Sequence, residues 1–153
     1  KKKKFFSLIQ INKWKTSEII IPINKINKQN KDILRNFIPH LKRKGVLHSF
    51  TSGRDLAEYA LSEGFYLGFN GIITFKKAEN VQAVVQLTPV DQILFETDSP
   101  FLTPVPHRGK ENAPFYLPFV AQKVAELKGE TIEKLIPIVY QNSLNCFHKL
   151  ANK

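Results

Sequence analysis

The stretch "ILFETDSPFLTPVPHRGK", residues 93–110, begins as a short apolar run and ends in two carboxylates and a proline-rich loop. An apolar run of this kind without polar alternation is typical of a strand that is buried on both faces of a sheet. Glu96 and Asp98 are two positions apart, so on an extended chain both side chains point to the same face. The stretch therefore predicts a buried strand with acidic groups at its carboxyl end.

The rest of the chain repeats a strand-then-helix pattern around this stretch. Strand-like runs are predicted at 18–23, 45–50, 66–75 and 91–98, and helical spacing of apolar residues at 31–44, 54–65, 78–89, 113–129 and 131–150. This alternation predicts an α/β fold with a mostly parallel sheet.

His48 and Asp98 are the candidate reactive residues, because each lies near the carboxyl end of a predicted strand. In parallel α/β sheets the functional loops open at those ends. Taken alone, His48 could be a histidine of the core, and Asp98 a turn aspartate before Pro100. Taken together, an imidazole and a carboxylate are suitable ligands for a divalent metal that activates water for hydrolysis.

Glu96 is open to two interpretations. Two carboxylates on one buried face repel each other unless a cation lies between them. That cation could be a metal ion, or it could be Arg108 or Lys110 from the following loop. The same loop contains His107, and its basic residues could hold a phosphate group.

The charge is unevenly distributed along the 153 residues, whose formal net charge is +10. Residues 1–50 contain 13 Lys and Arg against 2 Asp and Glu, whereas residues 51–153 contain 10 against 11. This basic segment could be a solvated arm, or it could attract a nucleic-acid backbone. The single cysteine, Cys146, allows no disulfide framework. With no apolar run as long as a membrane span, we expect no membrane partner and a cytoplasmic protein.

Three stretches carry a resemblance to a known family: "GVLHSFTSG" at 45–53, "GFYLGFNGIITFKKAENVQAVV" at 64–85 and the block at 93–129 that contains "ETDSP" and "PHRGK". Together they resemble the TatD-type metal-dependent deoxyribonucleases of the amidohydrolase-like superfamily, over roughly residues 32–150. The resemblance implies a (β/α)₈ TIM-type barrel with one or two divalent ions, Mg, Mn or Zn. It also implies hydrolysis of phosphodiester bonds in DNA as the substrate.

The resemblance assigns roles to four residues. His48 matches a metal-ligand histidine, and Asp98 matches the catalytic aspartate that binds metal and handles the attacking water. His107 and Arg108 fall in the loop after that strand, as candidates for binding the substrate.

The sequence also departs from the family pattern. It contains no His-x-His motif and no counterpart of the central glutamate ligand, and Asn24 or Lys25 stands where the family has a further histidine. We therefore expect a basic Lys/Ile/Asn-rich arm at 1–30 and the C-terminal half of a TatD-like domain at 31–153, truncated at its N-terminus. Such a half barrel would be weakly active or inactive alone and could self-associate through an open sheet edge. The alternative is a non-catalytic fragment that binds nucleic acid or a protein partner through its basic arm.

Overall fold

The computed structural model describes residues 20–22, 31–32, 34–36, 38–41 and 43–147. Strands and helices alternate along this part of the chain, as the sequence pattern predicts. The strands are β1 (Ile20–Pro22), β2 (Val46–His48), β3 (Tyr66–Phe69) and β4 (Ile93–Phe95). The helices are α1 (Arg54–Ser62), α2 (Glu79–Leu87), α3 (Leu117–Lys128) and α4 (Ile132–Cys146).

The four strands form one parallel sheet in the order β1-β2-β3-β4. Neighbours in the chain are therefore neighbours in the sheet, and the connections place helices against it. This is the arrangement of consecutive units in a β/α barrel. All carboxyl ends lie at the same edge, which is where the candidate residues are expected.

The alternation of side chains gives the sheet two different faces. The pairs Val46 with Tyr66 and Gly68 with Leu94 fix the register of β2, β3 and β4. Even-numbered residues therefore share one face and odd-numbered residues share the other. His48 and Gly68 belong to the even face, and Glu96 continues it beyond β4.

The main core lies on the odd face, between the sheet and the helices. Its central strand residues are Leu47, Leu67 and Ile93, all with no exposed surface. The helices cover them with small and branched side chains, including Ala57, Ala60, Val84, Val85, Val124 and Leu135. The extent of this burial explains why the strands contain almost no polar residues.

Several predicted elements end earlier than expected, among them the strands predicted at 66–75 and 91–98, the second of which ends at Phe95. The strand predicted at 66–75 stops at Phe69, because the Asn70 side chain accepts a hydrogen bond from Ile72 N (3.0 Å) and starts the 3₁₀ turn Gly71–Thr74. The last helix ends at Cys146, and residues 148–150 of its predicted range lie outside the described residues. Its predicted N-cap is confirmed, since the Thr131 hydroxyl accepts from Lys134 N.

Most of the basic arm lies outside the described residues, as do Asn24 and Lys25. Within it, β1 pairs in parallel with β2, and the boundary at residues 30–31 stays a prediction. Among the described residues, no helix has the length and apolar character needed to cross a membrane.

Candidate metal centre

Three side chains converge at the carboxyl edge of the sheet. His48 is the last residue of β2, Glu96 follows β4 directly, and Asp98 lies two residues further on. His48 Nε2 is 3.2 Å from Glu96 Oε2 and 3.3 Å from Asp98 Oδ1. The structure thus brings together His48 and Asp98, the two predicted metal ligands, and adds Glu96 to them.

Gly68 makes room for this cluster on the even face. A Cβ atom built on Gly68 would lie 2.6 Å from the Glu96 carboxyl group. Any larger residue here would push the Glu96 carboxylate away from His48.

Backbone and side-chain groups from the residues that directly follow β2 and β3 hold the two carboxylates in place. Ser49, with a φ of +52°, donates its backbone N–H to Glu96 Oε1 in a short hydrogen bond. The buried Asn70 amide donates to Ser49 Oγ (2.8 Å) and to Asp98 Oδ2 (3.0 Å). Asp98 also has a positive φ, +56°. Ser49 and Asp98 thus adopt the uncommon left-handed conformation where each serves the cluster.

The electrostatics of the cluster favour a bound cation. The pKa of Glu96 is raised to about 8, mainly by burial; the hydrogen bond from Ser49 lowers it, and the nearby Asp98 adds a smaller upward shift. A positive charge between Glu96 and Asp98 would stabilise the ionised form of Glu96, which burial and the neighbouring carboxyl group disfavour.

The donor set fits a divalent metal ion. Single ligand atoms of His48, Glu96 and Asp98 all lie within 4.8 Å of one another. Within the described part of the chain, Asp98 Oδ1 is buried and accepts no hydrogen bond. One imidazole nitrogen and two carboxylate oxygens suit zinc or manganese, and three protein ligands leave coordination positions for water or substrate.

A cleft of about 850 Å³ opens over the cluster. Its walls include His48, Glu96 and Asp98 together with the apolar residues Phe101 and Leu117. The cluster is therefore reachable by a ligand from outside.

His107 and Arg108 lie away from the three ligand groups. The His107 ring packs against Tyr116 and Phe119, with centroid distances of 4.7 Å to each. The Arg108 guanidinium lies over the Phe75 ring at 3.8 Å. Among the described residues, Glu96 accordingly contacts His48 and forms no ion pair with Arg108 or Lys110.

The sequence pattern contained a signal for Glu96 but none for its supporting residues. The i, i+2 spacing predicted that Glu96 and Asp98 share a face. It did not identify the group that contacts Glu96. Ser49 and Asn70, which support the cluster, are 21 residues apart in the chain and contact each other only in the folded structure. Such contacts leave no local pattern in the sequence.

Comparison with known proteins identifies the family of this chain. The family model described as "TatD related DNase" matches residues 6–148. The chain belongs to this family. The TatD match thus includes part of the basic arm as well as the strands that carry His48 and Asp98.

Relatives of this TatD-family chain extend well beyond it. It is 46% identical to the "uncharacterized metal-dependent hydrolase YcfH" of Escherichia coli K12, over 71% of this chain and 41% of the relative. It is 37% identical to the "3'-5' ssDNA/RNA exonuclease TatD" of Erwinia amylovora, over 67% of this chain and 41% of that one. The chain thus spans less than half the length of these curated relatives.

A solved structure supports the same fold. The TatD homologue YjjV of Escherichia coli matches with a TM-score of 0.69 and 26% identity, over 77% of this chain and 46% of that one. The predicted fold class, an α/β fold that forms part of a TIM-type barrel, is confirmed.

Proposed function

We propose that this protein is a divalent-metal-dependent hydrolase of phosphodiester bonds in nucleic acid, with DNA as a substrate. The observation that carries the proposal is the convergence of His48, Glu96 and Asp98 at the open edge of the sheet. Asp98 Oδ1, buried and without a hydrogen bond among the described residues, supports it further.

His48, Glu96 and Asp98 would hold the metal, which could be Mg, Mn or Zn, as one ion or as part of a pair. When bound, such an ion polarises a phosphoryl oxygen and lowers the pKa of a water molecule. The chain itself supplies orientation: Asn70 fixes Asp98 Oδ2 by its 3.0 Å hydrogen bond and leaves Oδ1 directed at the site. Asp98 is the proposed acceptor of the proton that the attacking water loses.

The proposed substrate rests on two observations. The family model carries the description "DNase", and one relative is described as a 3'-5' ssDNA/RNA exonuclease. In this chain, Lys76, Lys77 and Arg108 line a second pocket of about 370 Å³ beside the turn that follows β3. No described carboxylate forms an ion pair with any of these three cations.

Arg108 is the proposed contact to a phosphate of the substrate. Its planar group is held over Phe75, which leaves its N–H groups available for phosphate oxygens. His107 is proposed to act at the same place by holding the loop, since its ring is packed between Tyr116 and Phe119.

The test is cleavage of end-labelled single-stranded DNA by the purified chain with Mg²⁺, Mn²⁺ or Zn²⁺. We expect Asp98→Asn and a chelator each to lower the rate about 100-fold or more, because loss of metal-assisted charge stabilisation costs several kcal/mol. The matched control is Asp91→Asn, an exposed aspartate before the same strand, which should leave the rate unchanged. Equal rates in Asp98→Asn and the unsubstituted chain would overturn the proposal.

A second candidate function is nucleic-acid binding without catalysis, favoured by the 13 basic residues among residues 1–50. It predicts salt-sensitive DNA binding that Asp98→Asn leaves intact or strengthens and that removal of residues 1–30 abolishes. Absence of cleavage together with such binding, from a chain shown to be folded, would support this function over the first.

A further inference from the structure

Phe101 is a large apolar side chain placed in the open at the mouth of the metal cleft. It lines the same cleft as Glu96 and Asp98, yet it is 72% exposed. Isolated apolar residues on a surface are ordinary, so exposure alone assigns no role. The position of this ring and the rigidity of its backbone are the informative features.

The backbone around Phe101 is fixed on both sides. Phe101 N donates to Asp98 O at 2.8 Å, which ties the aromatic residue to the turn that carries the candidate catalytic carboxylate. Phe101 O accepts from the Asn112 side chain at 2.6 Å, and the same amide donates to Thr97 O at 2.7 Å. Asn112 is buried, with 4% of its surface exposed. Its two hydrogen bonds clamp the turn without covering the Phe101 ring.

The next residue anchors the turn to the 3₁₀ segment that follows β3. Leu102 O lies so close to Gly71 that a Cβ atom there would be only 1.9 Å from it. Gly71 in turn follows Asn70, the residue that orients Asp98. The backbone that carries the Phe101 ring and the carboxylate of Asp98 are therefore held by one connected set of contacts.

We propose that Phe101 is a stacking platform for a nucleobase of single-stranded nucleic acid whose phosphate lies at the metal centre. The inference rests on the proposed function and names the part of the substrate that binds beside the cluster. Base and phosphate of one nucleotide are joined through a sugar, so a ring at the cleft mouth and a cation site at its floor can engage the same strand. Aromatic stacking tolerates every base, because each base has a π-face.

Phe115 provides a matched control. It is also a phenylalanine with 70% of its surface exposed. Its ring, however, packs on Tyr116 with a centroid distance of 4.3 Å, and it is not among the residues that line the metal cleft. Truncation of Phe115 removes a similar exposed aromatic surface at a different place.

The experiment measures binding of two fluorescent oligonucleotides of equal length, one of thymidylates and one of abasic sites, with Mn²⁺ present and with phosphorothioate linkages that resist cleavage. Since stacking contributes about 1–3 kcal/mol per base, Phe101→Ala should weaken thymidylate binding by about fivefold or more. Its binding of the abasic strand should be unchanged. Phe101→Tyr should bind thymidylates normally, and Phe115→Ala should behave as the unsubstituted chain.

Equal weakening for both oligonucleotides, no weakening for either, or no binding by the unsubstituted chain would each overturn the inference. A second readout is Phe101→Trp in a Trp14→Phe background, whose fluorescence should be quenched by thymidylates and not by abasic strands. Neither readout depends on turnover, so loss of stacking and loss of hydrolysis can be distinguished: cleavage that is absent from the unsubstituted chain while stacking is observed would contradict only the proposed catalytic function.

Discussion

At the scale of single residues, the cluster depends on alternation along the strands. His48, Gly68 and Glu96 lie on the even face of neighbouring strands. Gly68, in the middle, has no side chain and leaves space between the other two. The glycine lets the glutamate carboxyl group occupy space above β3. As a result, only 15% of the Glu96 side chain is exposed, and a second carboxyl group lies beside it. Both conditions disfavour the ionised form of Glu96.

The stability of the metal-free chain is predicted to fall as the pH rises from about 5 to about 8. Glu96 has a pKa of about 8 in the folded chain against an ordinary value of 4.5. Between these values the folded state binds more protons than the unfolded state, so raising the pH favours unfolding, by about 1.4 kcal/mol for each unit of pKa shift. Glu96→Gln should flatten this dependence.

The measurement is urea-induced unfolding in chelator at a series of pH values. Glu111→Gln, which changes an exposed loop glutamate, should keep the slope of the unsubstituted chain. The same slope in Glu96→Gln as in the unsubstituted chain would show that Glu96 is not the titrating group.

At the scale of elements, β4 is positioned by the last helix through a buried amide. The Asn142 side chain on α4 donates to Val90 O at 2.8 Å and to Ile93 O at 2.9 Å, just before and at the start of β4. Only 3% of Asn142 is exposed. The buried Ile93 carbonyl therefore depends on this side chain, and the strand that leads to Glu96 and Asp98 is fixed at its amino end.

Replacing this side chain should destabilise the fold. Asn142→Ala removes the donor to the buried Ile93 carbonyl and one of the two donors to Val90 O, for which we expect a loss of about 2 kcal/mol in the free energy of unfolding. Asn145→Ala, at an exposed position of the same helix, should change it by less than about 0.5 kcal/mol. Urea-induced unfolding of both variants checks the difference, and equal stabilities would contradict the role given to Asn142.

At the scale of the whole molecule, the sheet has two edges among the described strands, β1 and β4. A TIM-type barrel closes with eight strands, and this chain spans less than half the length of its curated relatives YcfH and TatD. Self-association through an open edge stays a prediction. The three ligand groups, in contrast, come from strands and loops that are all within the described part of the chain.

Metal binding should therefore stabilise the folded chain as a whole. A ligand at 100 times its Kd adds about 2.7 kcal/mol, which for a chain of this size corresponds to a rise in Tm of about 5 °C or more. Mn²⁺ or Zn²⁺ should produce this rise in the unsubstituted chain and in Asp91→Asn. His48→Gln and Asp98→Asn should lose it, as followed by circular dichroism, and an equal rise in those two variants would place the metal elsewhere.

The sequence alone determined the order of the elements and the identity of two ligand candidates. Apolar runs, helical spacing and the "ETDSP" block are local patterns, and local patterns fix which residues become strands and which side chains lie just beyond their carboxyl ends. They also predicted the shared face of Glu96 and Asp98, because strand geometry sets that face within two residues.

Only the tertiary structure decided the partners of these residues. The contact of Glu96 with His48, the hydrogen bonds from Ser49 and Asn70, and the space above Gly68 depend on the register between strands that are 20 or more residues apart in the chain. Register is set by the packing of the whole sheet against its helices, so no single stretch of sequence contains it. The separation of Arg108 from Glu96 has the same origin. The two residues are close in the chain, but Arg108 packs on Phe75, which is more than 30 positions earlier, and the loop sequence does not reveal that contact.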